Sequence, residues 1–135
     1  MSKATNSFGN NMESYKAVLM IAYSEHAQID LNMVNWQIAN LEIRNDNGQK
    51  VLYVNNPYYR WMIRTKNITA IERLYSNVGD IIRLCIRGNR FLLLYASPTI
   101  LMKLADILSR ETNLIISDVV FEKGLLKKEG GLKHE

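Results

Sequence analysis

The sequence predicts an α+β fold: a bent antiparallel sheet, or a partly open barrel, of six to seven strands with one C-terminal amphipathic helix. Three observations carry that expectation. Apolar residues recur with period two through most of the chain between Ile29 and Tyr95, the spacing of half-buried strands. Turn-forming clusters break the apolar runs at Asn45-Asp46-Asn47-Gly48, Asn55-Asn56-Pro57, Ser76-Asn77-Val78-Gly79 and Gly88-Asn89. One stretch, Ser97 to Asn113, switches to helical spacing and has a stop or start signal at each end.

Taken in order, residues 1–11 are rich in Ser, Asn and Gly and read as a tail outside the fold. A single domain spans 12–122, and 123–135, with Gly124, Gly130-Gly131 and mixed Lys and Glu, reads as a second solvated tail. Glu13 to Glu25 fits two periods. Tyr15, Val18, Leu19, Ala22 and Tyr23 make a helical stripe, whereas Tyr15, Ala17, Leu19, Ile21 and Tyr23 make a strand face. A strand buried on both faces is the preferred reading. Ile29, Leu31 and Met33 alternate with polar residues, and Trp36 and Ile38 continue the strand after a slip at Val34. Leu41 and Ile43 lead into the turn ending at Gly48, Val51 to Val54 return, and Tyr59 to Thr65 place Tyr59, Trp61 and Ile63 opposite Arg60, Met62 and Arg64. Ile68-Thr69-Ala70-Ile71 continues as strand or turn.

Ile81 to Arg87 and Arg90 to Tyr95 form a hairpin about Gly88-Asn89, because both residues tolerate the positive φ of a tight two-residue turn. That loop sets Arg87 opposite Arg90, Ile86 opposite Phe91, Leu84 opposite Leu93 and Ile82 opposite Tyr95. The helix follows at once. Ser97 is its expected cap, Pro98 occupies the first turn, and Leu101, Leu104, Ala105 and Leu108 form one apolar stripe. Asn113 is a natural stop. Leu114-Ile115-Ile116 and Val119-Val120-Phe121 then add an edge strand or pack beside the helix.

This order resembles the pleckstrin-homology-like superfold, GRAM domains included. The resemblance spans about Trp36 to Thr112. It rests on Leu41-Glu42-Ile43, the turn through Gly48, Val51 to Val54, Ile68-Thr69-Ala70-Ile71-Glu72, and the hairpin and helix of Ile81 to Thr112. It is one of pattern: the terminal helix lacks the Trp usual in pleckstrin-homology domains proper, and no basic first hairpin for phosphoinositides is present. The resemblance implies a bent barrel plugged at one end by its helix, and a binding adaptor.

Composition sets outer limits. A chain of 135 residues, 47% hydrophobic, is long enough to bury a core of its own. No apolar run reaches bilayer length and the first residues lack the apolar core of a signal peptide. The single Cys85 excludes an internal disulfide and an all-cysteine metal site, and a cytoplasmic protein is expected. A formal net charge of +4 fits an acidic protein, nucleic acid or an anionic membrane surface, and equally fits mere solubility. No other feature points to the membrane.

The residues of catalysis are not assembled. His134 lies in the tail, His26 follows Glu25 without a second ligand at metal spacing, and Cys85 sits among apolar neighbours as a packed thiol. The glycines are scattered at turns rather than grouped around a phosphate. No enzyme, cofactor or metal site is expected. Two constellations remain. Tyr58, Arg60, Arg64 and Lys66 interleave aromatic and basic character, as stacking on bases with phosphate contacts requires. The plainer account makes the basic residues a solvated outer face behind a buried Tyr59 and Trp61. On the hairpin, Arg83, Arg87 and Arg90 share the outer face with Leu92 and Leu94, an apolar pair that needs a cover. A protein partner or a second subunit there makes the chain a non-enzymatic adaptor or homodimer. The alternative is a nucleic-acid-binding protein using the basic-aromatic strand.

Overall fold

The computed structural model describes residues 14–58, 60–76, 79–122 and 125–128. Nine strands and one long helix follow in the order β1 (Tyr15–Ser24), β2 (Gln37–Asp46), β3 (Gln49–Asn55), β4 (Arg60–Arg64), β5 (Ile68–Ser76), β6 (Gly79–Ile86), β7 (Arg90–Tyr95), α1 (Pro98–Thr112), β8 (Ile116–Glu122) and β9 (Leu125–Lys128). They form one sheet in the order β9-β8-β5-β6-β7-β1-β2-β3-β4. The architecture is α+β as expected, but the sheet is open and has more strands than the six to seven foreseen. β1 is a strand, which resolves the ambiguity of 13–25. Leu125–Lys128 pair with β8 where a tail was expected. Residues 1–11, Tyr59, Asn77-Val78 and the rest of 123–135 lie outside the described residues.

The sheet is covered differently on its two faces. On one face Leu19, Ile21, Leu41, Ile43, Leu52, Ile63, Ile82, Leu84, Leu92 and Leu94 meet the helix stripe of Leu101, Leu104, Ala105 and Leu108. That stripe and its boundaries match the sequence reading. Asn113 ends the helix at φ 59° and ψ 27°. Ser97 takes the extended cap backbone and its carbonyl accepts from the Leu101 N–H at 3.0 Å, but its hydroxyl makes no capping bond.

On the other face Ala22, Leu74, Ile81, Leu93 and Val119 pack under Ile29, Leu31, Val34 and Trp36. The strand expected from Ile29 to Ile38 is therefore a covering loop up to Trp36. Asp30 breaks it: its carboxylate accepts the Asn32 N–H at 3.0 Å and its carbonyl the Met33 N–H at 2.8 Å, a local turn that competes with a ladder.

The hairpin of β6 and β7 departs by one residue from the expected register. Ile86 pairs with Arg90, Leu84 with Leu92 and Ile82 with Leu94, around a three-residue loop of Arg87, Gly88 and Asn89. The cause is local. The Arg87 N–H donates to the Asn67 carbonyl at 2.8 Å, so Arg87 leaves the ladder and joins the turn. A one-residue slip exchanges the faces of a strand. Leu92 and Leu94 thus lie in the core against α1, each with no exposed surface, and Leu93 points to the second core.

β8 runs parallel to β5, with Ile71 beside Ile116 and Leu74 beside Val119. Ile116 and the run Val119-Val120-Phe121 thus belong to one continuous strand, with Leu114 and Ile115 just before it. No helix among the described residues is long and apolar enough to cross a membrane.

Candidate functional site

The exposed outer surface proposed for Arg83, Arg87, Arg90, Leu92 and Leu94 does not exist as one patch. Leu92 and Leu94 are core, for the register reason given above. Arg83 is also buried, only 4% exposed. Its Nε donates to Glu72 Oε1 at 2.6 Å, its Nη1 to the Ala27 carbonyl at 2.5 Å, and its guanidinium lies 5.0 Å from the Phe91 ring centre. Arg83 therefore ties the covering loop to the sheet. Only Arg87 and Arg90, at the hairpin end, face solvent.

Cys85, opposite Phe91, sits beside the same pair. Burial pushes its thiol up to about 11, and Glu72 adds to the shift. Hardly any thiolate exists at neutral pH, so the group is a packed thiol rather than a nucleophile. Among the described residues no three His, Cys, Asp or Glu side chains stand close enough to hold a metal ion.

What remains exposed and chemically distinctive converges on β4. Among the described residues this strand ends the sheet, with β3 as its strand neighbour. Arg60, Met62 and Arg64 point outward, while Trp61 and Ile63 point to the core, as the alternation predicts. Asn55 pairs with Arg60, Tyr53 with Met62 and Val51 with Arg64. Tyr58, just before the strand, is 83% exposed, and its N–H donates to the Asn56 side-chain oxygen at 2.8 Å. Lys66, exposed, follows in the short 3-10 turn Thr65–Asn67.

A hollow of about 380 Å³ opens beside the strand. Trp61 and Tyr23 line it, their rings edge to face with centres 4.7 Å apart. Ile86 adds an apolar wall, and Arg60 and Arg90 stand at its rim. The structure thereby joins two arginines that the sequence reading kept in separate constellations. Neither is ion-paired among the described residues, nor are Arg64, Lys66 and Arg87. Glu25, at the same end of β1, instead accepts from the Tyr23 hydroxyl at 3.1 Å. Burial and that carboxylate raise the Tyr23 pKa above its ordinary value, keeping the phenol neutral.

Sequence reasoning missed Tyr23, Met62 and Ile86 as parts of a site. Tyr23 lies at the end of a strand nearly forty positions before Trp61, and only the bend of the sheet brings the rings together. Met62 carried a usable signal, being an apolar residue at an outward position between two arginines.

No family model matches the chain, and no curated protein resembles it in sequence. Among solved structures it is similar to a chain from the "Structure of the Spt16D Pob3N heterodimer", with a TM-score of 0.55 and 9% identity. The match covers 81% of this chain and 56% of that one. At such identity the likeness concerns the fold alone.

Proposed function

We propose that this chain is a non-enzymatic binding module of pleckstrin-homology-like architecture that engages a protein partner at the exposed surface beside β4. The observation that most favours this is the hollow beside that strand, where an aromatic pair, Tyr23 and Trp61, lies between two arginines that have no carboxylate partner among the described residues. Aromatic residues and arginine dominate the energetics of protein interfaces, and both stand at this one place. The similar solved structure is that of a heterodimer, which fits a partner-binding role in kind. A cytoplasmic partner belongs to the same proposal.

The test is a photo-crosslinking amino acid placed at Met62, with Ile115, also exposed, as the control position. A discrete protein adduct at Met62, absent at Ile115 and lost in Arg60→Glu with Arg90→Glu, is the expected result. Equal labelling at the two positions would overturn the reading.

One observation favours the second reading, nucleic-acid binding. Tyr58, Arg60, Arg64 and Lys66 are all exposed along one short segment. If they contact a single strand, affinity falls steeply with salt, and Arg60→Gln with Arg64→Gln lowers the log–log slope by about one unit per lost phosphate contact. Tyr58→Ala then weakens binding by roughly 1–3 kcal/mol with the slope unchanged. A titration from about 50 to 200 mM salt separates the two readings.

A further inference from the structure

We propose that the chain carries a second binding site, at the end of β4 farther from Arg60, which takes a small phosphomonoester with a hydroxylated body. This goes beyond the partner reading above and does not depend on it. A hollow of about 300 Å³ lies where the β2–β3 turn, the β4–β5 junction and the last turn of α1 meet. Lys50 from the start of β3, Arg64 and Lys66 from the junction and Glu111 from the helix all line it. Lys50 is held in place twice. Its Nζ lies 3.3 Å from Glu111 Oε2, with the lysine side chain only 16% exposed. Its carbonyl accepts from the Thr65 hydroxyl at 3.1 Å. A floor fixed in this way loses little freedom when a ligand arrives. At Gly48, with φ 82°, an added Cβ would meet nothing within 4 Å, so the turn presents bare backbone there.

Charge and lining choose the ligand. Three cations against one carboxylate leave the hollow at +2. A phosphomonoester at neutral pH carries about −1.5 to −2. Arg64 and Lys66 have no ion pair among the described residues, so they repel each other until an anion sits between them. An ammonium has three donors, and Glu111 takes one of those on Lys50. The others suit phosphate oxygens. With Gln49 and Thr65 included, no aliphatic or aromatic side chain lines the hollow. A nucleobase finds nothing to stack on there, and an apolar body nothing to cover it. Glu111 decides the rest. Its carboxylate repels a bare polyanion but accepts from hydroxyl groups, and the Gln49 amide both donates and accepts. A phosphorylated polyhydroxy compound of the sugar phosphate class meets all of these demands.

The experiment titrates the full chain with glucose 6-phosphate, inorganic phosphate and glucose by calorimetry. Expected is saturable binding of the sugar phosphate, weaker binding of phosphate and none of glucose. Arg64→Gln with Lys66→Gln should weaken the sugar phosphate at least about tenfold. Arg87→Gln, an exposed cation outside the hollow, should leave it unchanged. Glu111→Gln should narrow the gap between sugar phosphate and phosphate, because the carboxylate that accepts from the hydroxyl groups is gone. Thermal melts check that each variant is folded. Amide shifts of Gly48 and Lys66 on adding glucose 6-phosphate locate the site in the native chain, independently of any variant. No binding at millimolar concentration, phosphate as tight as the sugar phosphate, or an equal loss in Arg87→Gln would each overturn the proposal. So would displacement of the sugar phosphate by single-stranded DNA, or by vesicles containing phosphatidylinositol 4-phosphate, at lower concentration than by unlabelled sugar phosphate. Those two results would assign the hollow to a nucleic acid or to a membrane instead.

Discussion

Arg83 Nη2 lies 2.5 Å from Glu72 Oε1 across the β5–β6 pair, and the same guanidinium holds the carbonyl of Ala27. Two layers of structure depend on one side chain. Removing one partner of a buried pair leaves the other charge unpaired, at about 3–5 kcal/mol. Arg83→Leu should cost an amount near the low end of that range, because Glu72 retains some contact with water. Arg83→Leu combined with Glu72→Leu should recover much of the loss. Urea denaturation of the native chain, both single variants and the double variant measures the coupling directly. Additive single-variant losses would show that the pair does not act as a unit.

The corrected register makes a sharp claim about the hairpin. Leu92→Glu with Leu94→Lys puts two charges against Leu104 and Leu108 rather than on an outer surface. Several kcal/mol should be lost out of the roughly 5–15 kcal/mol that holds a small domain together. Thermal melts followed by circular dichroism should show a chain unfolded at room temperature, where a surface position would leave the melt nearly unchanged.

Gly88 adopts φ 91°, where a side chain is strained, although a Cβ there would meet nothing closer than Arg90 Nε at 3.6 Å. Gly88→Ala should therefore destabilise by about 1–2 kcal/mol through backbone strain alone. Asn89, at φ 62°, tolerates the left-handed region already, and Asn89→Gly should change stability far less. Equilibrium unfolding of the two variants side by side checks the contrast.

Cys85 gives the chain a dependence on alkaline pH. Its folded pKa is raised from 9.0 to about 11, so the folded state keeps its proton where the unfolded state has released it. Stability therefore declines as pH rises through the interval from 9.0 to about 11, and the contribution is intact below it. The difference in unfolding free energy between the native chain and Cys85→Ala should shrink across that interval. At pH 8 the folded thiol should react with an alkylating reagent far more slowly than a free cysteine. A native rate equal to that of the denatured chain would show that the thiol is not shielded.

Much of the fold was legible because local chemistry decided it. Pro98 and Asn113 bound the helix, and the turn expected within Asn45-Asp46-Asn47-Gly48 falls at its last two residues, at φ 51° and 82°. The hairpin register was not legible, because Phe91, Leu92, Leu93 and Leu94 are all apolar and both faces of β7 are buried. Periodicity cannot choose a face where both are covered. A backbone bond from Arg87 to Asn67, across twenty residues, made the choice instead. The covering loop has a related reason: Ile29 is buried and Leu31 partly buried at strand-like spacing, yet Asp30 turns the chain out of the ladder. As for the site, Tyr58, Arg60, Arg64 and Lys66 were visible as a basic-aromatic run. That Arg60 shares a hollow with Arg90 and Tyr23 depends on the bend of the sheet, which no local pattern encodes.

The parallel seam between β5 and β8 bears on the order in which the molecule assembles. The β6–β7 hairpin joins Ile86 to Arg90, near neighbours in the chain, but the seam joins Ile71 to Ile116 after the whole of α1 has intervened. Closing the longer loop loses more chain entropy, and contacts of that kind set the pace of folding. During synthesis the strands that bracket the helix-side core leave the ribosome before Val119, which closes the opposite face. A nascent chain thus carries Leu74, Ile81 and Leu93 only partly sheltered until its final strands arrive, an interval in which a chaperone has something to hold.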